Sequence, residues 1–201
     1  MNAVIEIPVL PPRSIVLSPP LNDDEFERMC QQAEFASLER SREGTIIVNA
    51  PAGGMTSDGN REIITQLSNW WKRRRLGRAF DSSAGFFLPD GSMLSPDAAY
   101  ATAEQLKGLT RVDLARFPRL APAFIVELRS ESDSLAASQS KMESWIANGV
   151  QLGWLVDPYA KQVHIYQPGV ASRIECGSTI AGSGPVEGFV LDLQEVWRCF
   201  E

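Results

Sequence analysis

The chain predicts a mixed α/β fold with one central sheet flanked by helices. Three observations carry that expectation. Apolar residues recur at helical spacing in two stretches, Ile63, Ile64, Leu67, Trp70, Trp71 and then Leu135, Ser138, Met142, Trp145, Ile146. Short β-prone runs bounded by Gly, Pro and Asp lie between and after them, at 45–48, 123–126, 152–156 and 162–166. Helix, hairpin, strand, helix, strand is an interleaved order, which suits a sheet covered by helices.

Taken in order, residues 1–20 carry Pro8, Pro11, Pro12, Pro19 and Pro20 and read as an extended N-terminal arm before a single domain over 21–201. The first ten residues are mildly apolar and include Glu6. They lack a basic leader and are too short to span a bilayer, so no signal peptide is read there. Asn22 or Asp23 caps a first helix reaching about residue 35, with Phe26, Met29, Cys30 and Ala33 on one face. Residues 38–49 form a hairpin about Arg42-Glu43-Gly44, and Pro51-Ala52-Gly53-Gly54 breaks the pattern.

A second helix is expected over 59–76, capped by Ser57 or Asp58 and stopped at Gly77. Residues 80–88 read as a strand, Pro89-Asp90-Gly91-Ser92 as a tight turn and 93–100 as the partner strand. A loop or short helix at 103–117 leads to the strand ending in Glu127. A third helix spans 134–148 and stops at Gly149. Strands 152–156 and 162–166 close the sheet across Asp157-Pro158, and a last helical turn falls near 193–197.

Composition bounds the function. The chain has 201 residues, 44% hydrophobic and 22% charged, the balance of a globular domain in water with one sizeable core. Its three cysteines, Cys30, Cys176 and Cys199, are scattered without a C-x-x-C. That argues against a disulfide framework or a zinc site and fits a reducing, cytoplasmic setting. A net charge of −6 argues against a tight non-specific DNA coat, but only weakly against a nuclease, because a metal site adds acidic charge of its own. His164 is the only histidine, so a two-histidine mechanism is excluded. No G-x-S-x-G, P-loop or Rossmann fingerprint is present, and no organic cofactor is expected.

Asp97 and Glu127 point to a chemistry. Asp97 sits in Ser95-Pro96-Asp97-Ala98-Ala99-Tyr100, and Glu127 ends Ala123-Phe124-Ile125-Val126. Each carboxylate lies in a stretch that otherwise reads as a buried strand. An ionised group there is costly unless it is paired or holds a cation. Two carboxylates on two strands are what Mg2+ (or Mn2+) needs, since such an ion keeps several waters. An Asp after Pro also makes turns, and a Glu at a strand end also makes ion pairs. The metal reading therefore rests on both residues together in apolar settings.

Other candidates surround them. Side chains alternate along a strand, so Glu127 and Arg129 face the same way. Arg129 can stabilise charge on a phosphoryl group but cannot act as a base, and its plain alternative is an ion pair at the strand end. Lys141 lies at the border of the third helix's apolar stripe beside Trp145. It either snorkels toward a nearby site or is a solvated flank. Glu39 opens the first hairpin and Glu62 lies in the first turn of the second helix. Either supplies a third carboxylate, although Glu62 also suits the helix dipole. Lys72, Arg73, Arg74 and Arg75, with Arg78, form the only dense basic run and either contact DNA phosphates or suit the helix end. Trp70 and Trp71 read as core.

Pro-Asp, a spacer and then Glu-x-basic resembles the skeleton of the PD-(D/E)XK nuclease site. Over about 38–197 the chain resembles the Uma-type (Uma-two) family of restriction endonucleases, a branch of that superfamily. The segments that carry the resemblance are Asp81-Ser82-Ser83-Ala84-Gly85-Phe86, Ser95-Pro96-Asp97-Ala98 and Val126-Glu127-Leu128-Arg129-Ser130-Glu131-Ser132-Asp133. Lys141-Met142-Glu143-Ser144-Trp145 and Asn148-Gly149-Val150-Gln151-Leu152-Gly153-Trp154-Leu155-Val156-Asp157-Pro158 follow in fixed order. The resemblance implies a restriction-endonuclease-like core with an N-terminal helix and hairpin, and Asp97 and Glu127 as metal ligands. Lys141 falls where the family keeps a helix lysine, and Glu39 matches its early glutamate. Arg129 replaces the Lys of the Glu-x-Lys triplet, and Asn60 replaces a frequent His.

The expected function is a Mg2+-dependent DNA endonuclease. Asp97 and Glu127 hold the metal, Lys141 orients or deprotonates the attacking water, and Arg129 stabilises the transition state. Restriction-type enzymes often pair to cut both strands, so a homodimer is expected by analogy, with no membrane association. The rival is a non-catalytic nucleic-acid- or protein-binding module on the same fold.

Overall fold

A computed structural model describes residues 13–33 and 36–201. Residues 1–12 and the expected end of the first helix at Phe35 lie outside that range, and with them most of the arm and the reading of the first ten residues. The described chain opens with β1 (Arg13–Ile15) and α1 (Asp23–Gln32). Asn22 caps α1 by accepting from the Glu25 N–H at 2.9 Å, and Glu25 returns a bond to the Asn22 N–H. The expected hairpin follows as β2 (Ser37–Arg40) and β3 (Ile46–Asn49), with Gly44 at φ +84° in the turn.

The second helix, α2 (Gly54–Arg74), begins five residues before the expected start. Gly53 is its N-cap, and Asp58 instead pairs with Arg61 at 2.8 Å. Glycine is nearly as good an N-cap as serine or threonine, so the two glycines start the helix rather than merely breaking the pattern. At its end Arg75 turns left-handed, and Gly77 (φ +66°) passes so close to Ala101 that a Cβ there would lie 2.2 Å from the Ala101 carbonyl oxygen.

The strand expected over 80–88 is two strands, β4 (Arg78–Asp81) and β5 (Phe86–Phe87), and its partner is β6 (Met93–Leu94) and β7 (Ala98–Ala101). The Asp81 carboxylate accepts from the Ser83 N–H at 3.0 Å, a turn that ends β4. Pro96, without an N–H, interrupts the strand where the chain passes from β6 to β7. The two arms therefore cross between sheets. Asp97 lies in the bend just before β7, not within a strand.

Two short helices follow, α3 (Ala103–Leu106) and α4 (Arg111–Ala115), capped by Thr102 and Thr110. Then come β8 (Phe124–Leu128), α5 (Leu135–Ala147), β9 (Leu152–Asp157), β10 (Gln162–Tyr166), β11 (Arg173–Glu175), β12 (Thr179–Ala181), β13 (Val190–Asp192) and α6 (Leu193–Arg198).

The central sheet has the order β11-β10-β9-β8-β7-β4. Its β8–β9 pair is parallel and its other pairs are antiparallel. A parallel pair needs a crossover, and α5 supplies it. Beside the expected central sheet stands a second, β1-β3-β2-β6-β5, which takes in the N-terminal hairpin, and β12-β13 forms a small third. Ile63, Leu67 and Trp70 of α2 cover one face of the central sheet, packing with Phe124 and Trp154. Met142 and Trp145 of α5 cover the other, against Ile125 and Leu155. All five residues of β8 are buried, which is why its sequence reads as a continuous apolar run. A third cluster joins Phe26 of α1 to Leu38, Ile46 and Met93 of the second sheet. Among the described residues no helix is long and apolar enough to cross a membrane.

Candidate active site

The antiparallel register of β7 and β8 pairs Ala98 with Val126. One step further along the same register, Asp97 stands opposite Glu127. Asp97 is fixed from two elements: the Leu128 N–H donates to its Oδ2 at 2.7 Å and Asn60 Nδ2 of α2 donates to its Oδ1 at 2.6 Å. Glu127 points into the α5 layer, where Trp145 Nε1 donates to its Oε1 at 2.8 Å.

Glu39 arrives from the second sheet. Its Oε1 accepts from the Ser95 N–H at 2.8 Å, two residues before Asp97, and its Oε2 accepts from Asn49 Nδ2 at 3.2 Å. The crossing of the broken hairpin between sheets is therefore what brings β2 to the cluster. Lys141 stands in the middle. Its ammonium donates to the Ser95 carbonyl at 2.9 Å and lies 2.9 Å from Glu39 Oε1 and 3.0 Å from Glu127 Oε1. Three protons thus meet three acceptors from three separate segments. The solvated-flank alternative for Lys141 does not describe this side chain.

Glu39 and Glu127 share one ammonium and Asp97 stands beside them on other donors, so the cluster is two charges in excess on the negative side when all three carboxyls are ionised. Burial pushes the Glu127 carboxyl up to about 8, Lys141 opposes that, and Asp97 and Glu39 add to it. Asp97 is also raised, by burial first, against the Leu128 N–H and Lys141. Burial works against the Lys141 charge. Glu127, Glu39 and Asp97 outweigh it and hold the ammonium above the ordinary lysine range.

This donor set fits a hard divalent cation. The excess negative charge, its two carboxylates at one strand end and the oxygen-only chemistry match an ion that takes one or two carboxylates and keeps its waters. Among the described residues no group of three or more His, Cys, Asp or Glu side chains is placed to hold a metal ion, so the fit is to the two carboxylates Asp97 and Glu127 alone. One atom adds to this. Asn60 Oδ1 is buried and has no hydrogen-bond partner, a condition that costs about 1–3 kcal/mol.

Other sequence candidates lie elsewhere. Glu62 accepts from Gln66 and pairs with Arg61 at 3.4 Å. It sits in the third turn of α2, because the helix begins early. Arg129 is not part of the cluster. It lies past the end of β8, where its Nη1 is 3.0 Å from Asp157 Oδ1 and its guanidinium rests 5.1 Å from the Tyr159 ring centre. Beyond the last ladder residue the alternation that pairs it with Glu127 no longer governs its direction. Lys72, Arg73, Arg74 and Arg75 close α2 at the end away from Asn60, about 18–22 Å along the axis at 1.5 Å per residue. Arg74 folds over Trp70 and donates to the Glu187 carbonyl at 2.6 Å, and Arg75 folds over Trp71. Sequence reasoning placed Trp145 only in the core. Its position four residues after Lys141, on the same helix face, was the available signal for its polar role.

The comparisons bear on this geometry. The profile of the Uma2 family, described as "putative restriction endonuclease", matches residues 23–194. Among solved structures, the fold is similar to a "putative nuclease" from Anabaena variabilis, with a TM-score of 0.71 at 18% identity, covering 90% of this chain and 100% of that one. Nothing among curated proteins matches. A family model that matches most of the chain shows that the chain belongs to the Uma2 family, described as "putative restriction endonuclease".

Proposed function

We propose that the protein is a Mg2+- or Mn2+-dependent DNA endonuclease. The observation that carries this reading is the pairing of Glu39 and Glu127 with one ammonium at the end of the central sheet, with Asp97 opposite Glu127 in the strand register. Asp97 and Glu127 hold the cation through their remaining lone pairs. When bound there, the ion acidifies a coordinated water and offsets the charge of the scissile phosphate. Asn60 and the Leu128 N–H keep the Asp97 carboxylate in one orientation. Trp145 does the same for Glu127 and excludes water from its inner side. Lys141 keeps its proton, so it stabilises phosphoryl charge by its field and holds Glu127 in place rather than acting as a base. That narrows the role expected from sequence. Arg129 closes the end of β8 onto Asp157, so its contribution is to hold the strand end rather than to touch the phosphate. Lys72 and Arg73 serve as backbone phosphate contacts. The proposed assembly is a homodimer acting on both strands in the cytoplasm.

The test is plasmid cleavage by the full chain in Mg2+ and in Mn2+, beside Asp97→Asn and an EDTA control. Wild-type nicking that the substitution and the chelator both abolish is the expected result. DNA or protein binding without cleavage in either metal would assign the chain to the non-catalytic class instead. Light scattering reads the mass of the assembly in the same samples.

A further inference from the structure

Asn60 occupies a position that the cluster does not explain by itself. Its Nδ2 donates to Asp97 at 2.6 Å, but its Oδ1 is buried without a partner. Turning the amide over would set two acceptor oxygens 2.6 Å apart, so the nitrogen belongs on Asp97 and the oxygen is the atom left over. The helix cannot shift to relieve it. At the neighbouring Gly59 a Cβ would lie 2.8 Å from Leu128 Cδ2 and 2.8 Å from the Phe200 ring, so α2 is seated directly on the end of β8. One other buried side-chain polar atom without a partner is found among the described residues, Trp70 Nε1, and that one lies in an aromatic cluster. The Asn60 oxygen is different in kind. It is an acceptor placed beside a carboxylate, and no protein donor reaches it. Buried acceptors of this sort in native proteins are met by a water or an ion.

We infer that Asn60 is a positioning residue of the cation site: its amide nitrogen fixes Asp97, and its buried oxygen accepts a proton from a water in the hydration shell of the divalent cation. This rests on the cation-site reading above. Mg2+ and Mn2+ bound through few protein ligands keep several waters, and the partners of those waters orient the ion as firmly as the ligands do. The amide thus joins one direct ligand and one water in a single rigid group carried by α2.

Isothermal titration calorimetry of the full chain with MnCl2 tests this on wild type, Asn60→Leu and Asn60→Asp, with Asp97→Asn as the reference for a lost ligand. Thermal midpoints are read with and without saturating Mn2+. Asn60→Leu, close in shape and without polar atoms, is expected to bind Mn2+ about 10- to 100-fold more weakly, the usual effect of losing an outer-shell partner. Asn60→Asp keeps an acceptor oxygen and adds charge. It is expected to lower the metal-free midpoint, to bind Mn2+ at least as tightly as wild type, and to gain more from it in thermal midpoint. Wild-type affinity in a folded Asn60→Leu overturns the inference. So does an Asn60→Asp protein as weak as Asn60→Leu, since only the nitrogen's grip on Asp97 would then matter. Should Asn60→Leu not fold, the Asp variant decides alone. A wild type that takes no Mn2+ overturns the cation-site reading itself, and this inference with it.

Discussion

Replacing Lys141 by Met tests the cluster most directly. The Met stem keeps the packing beside Trp145 and removes only the charge. The Glu39 and Glu127 side chains are 6% and 11% exposed, and each loses its ammonium partner at 2.9 and 3.0 Å. Removing one member of a buried ion pair costs about 3–5 kcal/mol, because the other charge is left uncompensated. A chain of this length loses about 2–4 °C per kcal/mol, so the metal-free midpoint should fall by roughly 6–20 °C at pH 8. The pH dependence has a definite sign. The folded carboxyl of Glu127 titrates at about 8, above its ordinary 4.5. The stability it contributes is therefore intact below about 4.5 and lost as pH rises through about 8. Without Lys141 that loss deepens, so the gap between variant and wild type should be widest at pH 8 and narrow toward pH 5. Mn2+ should recover more in the variant than in wild type, since it enters a more negative site. Cleavage in Mn2+ should collapse. Arg129→Met is the control: it exposes Asp157, but that carboxylate keeps the Tyr159 and Ala160 N–H donors at 3.1 and 3.3 Å. It should be milder in both readouts. Differential scanning fluorimetry across pH, with single-turnover cleavage, measures all of this. A Lys141→Met protein that melts with wild type at pH 8, or cuts as fast while Arg129→Met is dead, refutes the reasoning.

Three further outcomes follow from the same geometry. Mn2+ must displace the proton that burial holds on Glu127, so its affinity should rise about tenfold per unit between pH 6 and 8 and then level off; calorimetric affinities that do not change with pH would contradict a cation bound at Glu127. Trp145→Phe removes the indole N–H from Glu127 Oε1 and opens a cavity at a fully buried site, and should cost more in metal-free stability than the unpaired acceptor alone, about 1–3 kcal/mol, read by urea denaturation. Lys72→Glu with Arg73→Glu should weaken DNA binding alike on all sequences and flatten its salt dependence by about two phosphate contacts, while leaving Mn2+ affinity at the wild-type value.

The sheet, the helices and the order of elements were legible because their signals are local. Helical periodicity marked the stripes of α2 and α5, and turn residues marked the hairpins. What was not legible depended on which sheet a residue joins. Nothing in residues 80–88 states that Asp81 ends one ladder and Phe86 begins another, because both halves are equally β-prone. The early start of α2 was hidden by glycines that serve as well at an N-cap as in a loop. At the site, Asp97 and Glu127 were readable as carboxylates in apolar runs. Glu39 against Glu62 was undecidable from spacing, because the choice is made by β2 docking on Ser95.

The two cations show the same limit from the other side. In the Glu-x-basic triplet, sequence adjacency suggests that Arg129 serves Glu127. Adjacency fails there because β8 ends at Leu128, and the parallel neighbour β9 presents Asp157 at that level. A guanidinium satisfied by a buried carboxylate at 3.0 Å and stacked on Tyr159 has little reason to turn back toward Glu127. The vacancy is filled from the next element. The crossover that a parallel β8–β9 pair requires must return along the sheet, so α5 lies over the β8 end, and Lys141 reaches Glu127 from fourteen residues away. The position of the ammonium that pairs with Glu127 is thus a consequence of topology. In this chain the crossover places a helix cation at the point in space that the strand triplet leaves without one.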